Sequence, residues 1–143
     1  MKKTAAVFVL LAVITVLFAA CGRADLTAEE FFETARASGF TVEDVTAELE
    51  GNVETALLAY TETVQIEFYV VASERQARQA FDENHQTLST LQPQPDIDKG
   101  DKWAGEAEGE YRVVTAAQKT FLYVSAPPEE KEQVDSFLEA IGY

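Results

Sequence analysis

The chain has little of the chemistry that most enzyme and metal sites require. It contains one cysteine, one histidine and one tryptophan in 143 residues. One cysteine cannot form an internal disulfide, and no cluster of Cys and His stands at the spacing of a metal site. A Gly-x-Ser-x-Gly motif and a glycine-rich phosphate loop are also missing from the sequence. We therefore predict no catalytic residue, no metal ligand and no cofactor, and a fold that rests on its hydrophobic core.

Basic residues are scarce as well. Lys and Arg number 11 against 25 Asp and Glu, which gives a formal charge of −14. The first 20 residues hold two of the basic residues and none of the acidic ones, so residues 21–143 alone carry a formal charge of −16. Such a charge would repel the phosphates of nucleic acid and an anionic lipid surface. We therefore expect no direct binding to nucleic acid.

The N-terminal segment has the composition of a secretory signal. Lys2 and Lys3 precede an uncharged apolar run, residues 4–20, that ends in small side chains. The run is long for a signal core and short for a transmembrane helix, which needs about 20 apolar residues. Ordinary cleavage, for instance after Gly22, and an uncleaved anchor both remain open on this composition alone.

The end of the apolar run resembles the lipobox of bacterial lipoproteins, Leu-(Ala/Ser)-(Gly/Ala)-Cys. Ala19 and Ala20 match the two small positions and Cys21, followed by Gly22, matches the cysteine, whereas Phe18 stands where leucine is preferred. The resemblance implies that the thiol of Cys21 receives a diacylglyceryl group and that the lipoprotein signal peptidase cleaves before it. Two or three acyl chains hold a protein on a membrane firmly, at ~0.8 kcal/mol per buried methylene.

We accordingly expect three segments. Residues 1–20 are predicted to be the lipoprotein signal peptide, residues 21–25 the lipidated cysteine with a short tether, and residues 26–143 a single α+β domain. Helices ending in SGF and IGY, together with the segments VEDVT and VQIEFYVV, resemble small uncharacterised lipoproteins of Gram-positive Firmicutes. That resemblance implies a lipid-anchored position on the extracytoplasmic face of the bacterial cell membrane, and it brings no activity with it.

Hydrophobic periodicity predicts the α+β fold. Capping signals and helical spacing predict helices after Thr27, after Ser73 and after Pro127. Alternating apolar residues predict four strands, at residues 56–60, 64–71, 103–113 and 120–125. The order strand, turn, strand, helix thus occurs twice after the first helix. We expect a four-stranded antiparallel sheet with its helices packed on one face and the other face meeting water.

The candidate binding site is an acidic face of this predicted sheet. Glu106, Glu108 and Glu110 alternate along one predicted strand, and Glu67 and Tyr69 are expected beside them. Neighbouring carboxylates can raise one another's pKa and can carry out acid–base chemistry. Exposed strands also carry such charges simply to stay soluble and to avoid pairing at their edges.

Two further motifs are weaker. His85 lies in the second predicted helix without a Cys or an acid at ligand spacing, and we interpret it as a polar or half-buried helix residue. Asp96 begins a string that resembles a calcium-binding loop, but Gly100 occupies the fifth ligand position and Ala107 the closing one. A solvated turn is the simpler interpretation of that loop.

The sequence therefore leaves three hypotheses for the function of the protein. The first is a non-enzymatic lipoprotein that binds an envelope protein or another envelope component. The alternative is a small-molecule or cation-binding module on the acidic sheet face. The third is an envelope enzyme that uses carboxylates such as Glu106 and Glu108.

Overall fold

The computed structural model describes residues 26–143. The predicted signal peptide, the lipobox around Cys21 and the tether to residue 25 lie outside the described residues. The helices are α1 (Ala28–Ala37), α2 (Glu74–Leu91) and α3 (Lys131–Ala140). The strands are β1 (Thr41–Asp44), β2 (Val53–Tyr60), β3 (Gln65–Val71), β4 (Ile97–Lys99), β5 (Lys102–Ala107), β6 (Glu110–Ala117) and β7 (Thr120–Ala126). No helix in this part of the chain is long and apolar enough to cross a membrane.

All seven strands form one antiparallel sheet in the order β1-β2-β3-β7-β6-β5-β4. The α+β class is confirmed, but the predicted four-stranded sheet is wrong. β1 adds an edge strand at Thr41–Asp44, outside the four predicted strands. β4 comes from a polar segment whose only large apolar residue is Ile97. The third extra strand arises because residues 103–113 form two strands, β5 and β6.

A tight turn divides the predicted strand at residues 103–113. Glu108 and Gly109 both have positive φ angles, 55° and 82°, as a type I′ hairpin turn requires. The chain reverses there, so that Ala107 pairs with Glu110. Glutamate is uncommon at positive φ, and Glu-Gly is a weaker turn signal than Asn-Gly or Asp-Gly. The alternation of charged and apolar residues through this segment therefore predicts one continuous strand, because the turn has no strong sequence signal.

The helices pack on both faces of the sheet, which corrects the expectation that they share one face. α1 and α3 cover what we call the closed face, where Phe31, Phe68 and Phe137 belong to one buried cluster. α2 packs on the opposite face, which we call the groove face, where Phe81 lies in a cluster with Trp103. An apolar stripe on a helix shows that the helix must dock, but it does not show which face of the sheet will receive it.

The closed face is a dry aromatic core. Phe31 stacks on Phe68 with 4.4 Å between ring centroids and meets Phe137 edge-on at 5.9 Å. Phe31 and Phe68 are 0% exposed, and full burial of such a side chain stabilises the fold by roughly 1.5–3 kcal/mol. Both helices are needed to cover these rings, so the closed face leaves its strands little contact with water.

Capping signals in the sequence fix the starts of α1 and α2. Thr27 Oγ1 accepts a hydrogen bond from the Glu30 backbone N–H at 3.1 Å, and Glu30 Oε2 accepts one from the Thr27 N–H at 2.9 Å. These hydrogen bonds lower the pKa of Glu30. The hydroxyl of Ser73 accepts from the Gln76 N–H at 3.3 Å. Leu91, which its spacing places on the apolar stripe of α2, is instead exposed.

Candidate functional site

A groove remains open on the groove face beside α2. The helix packs mainly over β6 and β7 and leaves part of β2 and β3 uncovered. The groove has a volume of about 430 Å³. Its lining combines aromatic, aliphatic and polar side chains, namely Val53, Glu67, Tyr69, Val71, Ala80, Asn84, Phe121 and Tyr123. Three strands supply its floor and α2 supplies one wall.

Strand register brings the aromatic floor together. Residues that stand directly opposite one another in antiparallel strands point to the same face. The pairing of β3 with β7 sets Glu67 opposite Tyr123 and Tyr69 opposite Phe121. The rings of Tyr69 and Phe121 are inclined at 29° to each other, with centroids 6.0 Å apart. Three aromatic rings and one carboxylate therefore occupy adjacent positions on two central strands.

Hydrogen bonds hold the carboxylate of Glu67 in place. The Tyr69 hydroxyl donates to Glu67 Oε2 at 2.6 Å, and Gln65 Nε2 donates to Glu67 Oε1 at 2.9 Å. Burial and the hydrogen bond to Glu67 raise the pKa of Tyr69, so its hydroxyl stays protonated near neutral pH. Each carboxylate oxygen thus accepts one hydrogen bond from a neutral donor.

The wall that α2 contributes is built from small and polar residues. Ala80 and Asn84 stand one helical turn apart, and Asn84 Nδ2 donates to the Ala80 carbonyl at 2.9 Å. The hydrophobic side of the helix points instead to the sheet, where Ala77 and Phe81 are buried. Because Ala80 extends only a methyl group toward β3, the space beside the aromatic floor stays open.

Arg112 neutralises the acidic residues next to the groove. Its Nη2 lies 3.1 Å from Glu110 and 3.4 Å from Glu108, and its Nη1 donates to the Tyr123 hydroxyl at 3.3 Å. Its Nε is buried and has no hydrogen-bond partner within residues 26–143. A guanidinium shared by two carboxylates offsets the repulsion between their like charges.

The hairpin turn splits the predicted acidic face. Glu67, Tyr69 and Glu110 lie on the groove face, Glu108 lies in the turn, and Glu106 lies on the closed-face side. Glu106 is assigned to the closed face because it pairs with Tyr111, whose ring belongs to the closed-face core. Glu106 and Glu108 therefore do not form a carboxylate pair on one strand face.

His85 has an acidic neighbour that its sequence spacing did not indicate. Its Nε2 lies 2.8 Å from Asp98 Oδ1 and 3.4 Å from Ser89 Oγ. Both contacts use the same ring nitrogen, whereas a Ser-His-Asp relay places the acid on Nδ1 and the serine on Nε2. The contact with Asp98 ties α2 to β4 and does not form a nucleophile relay.

A second polar cluster joins α3 to the closed face. The hydroxyl of the buried Tyr111 donates to Asp135 Oδ1 at 2.7 Å, and Lys131 Nζ lies 3.1 Å from Asp135 Oδ2. Burial and the hydrogen bond to Asp135 raise the pKa of Tyr111 to about 12. Desolvation lowers the pKa of Lys131, but its hydrogen bonds with Asp135 and Tyr111 outweigh this and raise the pKa. Because the charges of this cluster pair with one another, we interpret it as a structural tie.

The loop that resembles a calcium site directs its acids to separate partners. Asp96 Oδ2 lies 3.3 Å from Lys131 Nζ, and Asp98 contacts His85. Between residues 26 and 143 no group of three or more His, Cys, Asp or Glu side chains is placed to hold a metal ion. The solvated turn expected for this loop is corrected by the structure, because Ile97–Lys99 form β4 and only Gly100 and Asp101 form a turn.

Sequence reasoning named Glu67 and Tyr69 but missed Phe121 and Tyr123. These two aromatic residues alternate with buried neighbours along β7, and that period was visible in the sequence. Their place next to Tyr69 depends on the pairing of β3 with β7, which brings together residues about 50 positions apart. No local signal reports such a pairing.

Comparison with family models, with curated proteins and with solved structures finds no match to this chain. A functional proposal therefore depends on the site itself.

Proposed function

We propose that the chain is a lipid-anchored extracytoplasmic lipoprotein whose domain is a non-enzymatic binding module, with the groove beside α2 as its ligand site. The groove carries the proposal. Its volume of about 430 Å³ falls in the range of small-molecule sites, roughly 300–1,000 Å³. Its lining is largely aromatic and aliphatic with a few polar groups, the usual composition of such sites. These properties favour a small molecule over a large protein partner.

The contacts of the ionisable residues favour binding over catalysis. Glu108 and Glu110 share the guanidinium of Arg112, and His85 offers one ring nitrogen to both of its partners. Glu67 is the carboxylate of the groove, and its two hydrogen bonds come from neutral donors. Neither the shared guanidinium nor the contacts of His85 match a carboxylate pair or a Ser-His-Asp relay.

The ligand site is tested by filling the groove. In Ala80→Trp the indole would occupy the space beside Tyr69, whereas Gln86→Trp places the same side chain on an exposed position of α2. Full-length lipoprotein would be isolated from bacterial membranes, and the small molecules that it retains would be identified by mass spectrometry. We expect a molecule retained by the wild type and by Gln86→Trp but lost from Ala80→Trp. Identical small-molecule contents in all three proteins would contradict the proposal.

The anchor is tested at Cys21, whose lipobox resemblance supports it. Globomycin, which blocks the lipoprotein signal peptidase, should make the unprocessed precursor accumulate. Cys21→Ser should lose incorporation of a labelled fatty acid. Normal processing under globomycin, together with a labelled Cys21→Ser variant, would contradict lipidation and leave the groove proposal unaffected.

A further inference from the structure

The electrostatic character of the groove indicates the class of its ligand. Glu67 is the one acidic side chain among the residues that line the groove, and no basic side chain lines it. The hydrogen bonds to Glu67 come from a phenol and an amide, which carry no positive charge. The guanidinium of Arg112, which donates to Tyr123, is shared by two other carboxylates, those of Glu108 and Glu110. The rest of the domain strengthens this bias, because residues 21–143 carry a formal charge of −16 and such a field attracts cations.

The aromatic floor adds a second attraction for positive charge. Cations bind over the faces of tyrosine and phenylalanine when they lie within roughly 6 Å of a ring centroid. Tyr69 and Phe121 have centroids 6.0 Å apart, and Tyr123 stands next to them, opposite Glu67. A cation seated over these rings would lie beside the carboxylate as well.

A metal ion does not fit this arrangement. Hard cations such as Ca²⁺ take about six to eight oxygen ligands, and the groove offers one carboxylate in an otherwise mainly aromatic and aliphatic lining. The volume of the groove instead suits a molecule with several carbon atoms. The charge must therefore be carried on an organic skeleton.

The hydrogen bonds at Glu67 narrow the class further. A primary ammonium group has three N–H donors, each of which needs an acceptor. Each oxygen of Glu67 already accepts one hydrogen bond, so the carboxylate has only about two of its four lone-pair sites left and cannot satisfy all three donors. A quaternary ammonium group has no N–H donor and is recognised by aromatic rings and by charge. We propose that the groove beside α2 binds a small quaternary ammonium compound, with the cationic head over Tyr69, Phe121 and Tyr123 and against Glu67. The inference rests on the proposed function and specifies its ligand.

Three matched compounds test the inference. Full-length lipoprotein in lipid nanodiscs would be titrated calorimetrically with butyltrimethylammonium, with its neutral isostere in which carbon replaces nitrogen, and with butylammonium. We expect the quaternary compound to bind at least about tenfold more tightly than either of the others. Glu67→Gln should weaken that binding about tenfold, whereas Glu62→Gln makes the same change in net charge at an exposed turn residue and should leave it unchanged.

The outcomes separate this inference from the proposed function. If the quaternary compound and its isostere bind equally well, and both are lost in Ala80→Trp, the ligand need not be a cation. The inference is then overturned, and the groove remains a ligand site. Tighter binding of butylammonium would overturn the quaternary class. If none of the compounds binds, the inference fails, and the retained-molecule comparison of Ala80→Trp with Gln86→Trp then decides the proposed function by itself.

Discussion

Phe68 and Tyr69 are neighbours on β3, yet they belong to different parts of the molecule. Phe68 points to the closed face, is 0% exposed and stacks on Phe31. Tyr69 points to the groove face, is partly exposed and donates its hydroxyl to Glu67. Two helices cover the first face, and a single helix covers only part of the second.

The difference shows how one sheet can combine stability with a ligand site. A seven-stranded sheet is wider than one helix can cover, so α2 leaves β2 and β3 partly open. The closed face can stabilise the fold through its aromatic core without any contribution from the groove. The groove face is then free to carry tyrosines and a carboxylate in positions where a core would require apolar side chains.

The largest expected effect comes from truncating the two neighbours on β3. Phe68→Ala removes a buried ring between α1 and the sheet and should lower the free energy of unfolding by about 3–5 kcal/mol. Tyr69→Ala should lower it by less than about 2 kcal/mol, because the side chain is only partly buried. Urea unfolding followed by circular dichroism measures both. Equal losses would mean that the groove face is a core like the closed face.

The next largest loss of stability is expected at Gly105, where the backbone of the groove face lies close to Pro95. A Cβ at Gly105 would lie 3.1 Å from both Cα and Cβ of Pro95 and 3.4 Å from the ring of Trp103. Gly105→Ala should therefore cost about 1–3 kcal/mol through overpacking. Gly100→Ala is the matched control, since a Cβ there has nothing within 4 Å. If the two variants have equal thermal midpoints, the loop at Pro95 can move away at little cost.

The polar tie on the closed face predicts a pH dependence. Tyr111→Phe removes a hydrogen bond to Asp135 and should cost about 1 kcal/mol at neutral pH. The pKa of Tyr111 is raised to about 12 in the folded protein, above the value of about 10 for free tyrosine. Its contribution is therefore complete below about pH 10 and is lost as the pH rises through about 12.

Measurements of the free energy of unfolding across the alkaline range check the direction of this pH dependence. The free energy of unfolding should fall less steeply with rising pH in Tyr111→Phe than in the wild type. Tyr69 also has a raised pKa, but it is present in both proteins and cancels in the comparison. Parallel pH profiles would show that Tyr111 ionises as easily in the folded chain as in the unfolded one.

The smallest effect is expected at the exposed tie between α2 and β4. A double-mutant cycle with His85→Ala and Asp98→Ala should give a coupling free energy of no more than about 1 kcal/mol, because both side chains are partly exposed. The coupling should decrease at high salt. A larger, salt-independent coupling would mean that this contact positions α2 and so shapes the groove.

Local signals predicted the helices well. The caps at Thr27 and Ser73 stand where the sequence placed them, and the apolar side of α3, including Val134, Phe137 and Leu138, is buried as its spacing predicted. The strands were predicted less well, because β4 is short and polar and the Glu108–Gly109 turn lacks the usual residues. Candidate residues Glu67 and Tyr69 line the groove, but Glu106 lies on the other side of the sheet.

The sequence by itself determined the acidic charge, the α+β class, the starts of α1 and α2 and the alternation that separates Phe68 from Tyr69. The charge follows from the composition, and each of the other features depends on residues within about one helical turn or one strand of each other. Tertiary structure alone decided which face each helix covers, which strands meet at the centre and where the groove lies. Those features depend on the pairing of β3 with β7 and on the docking of α2. Because such contacts join residues far apart in the chain, no short segment encodes them.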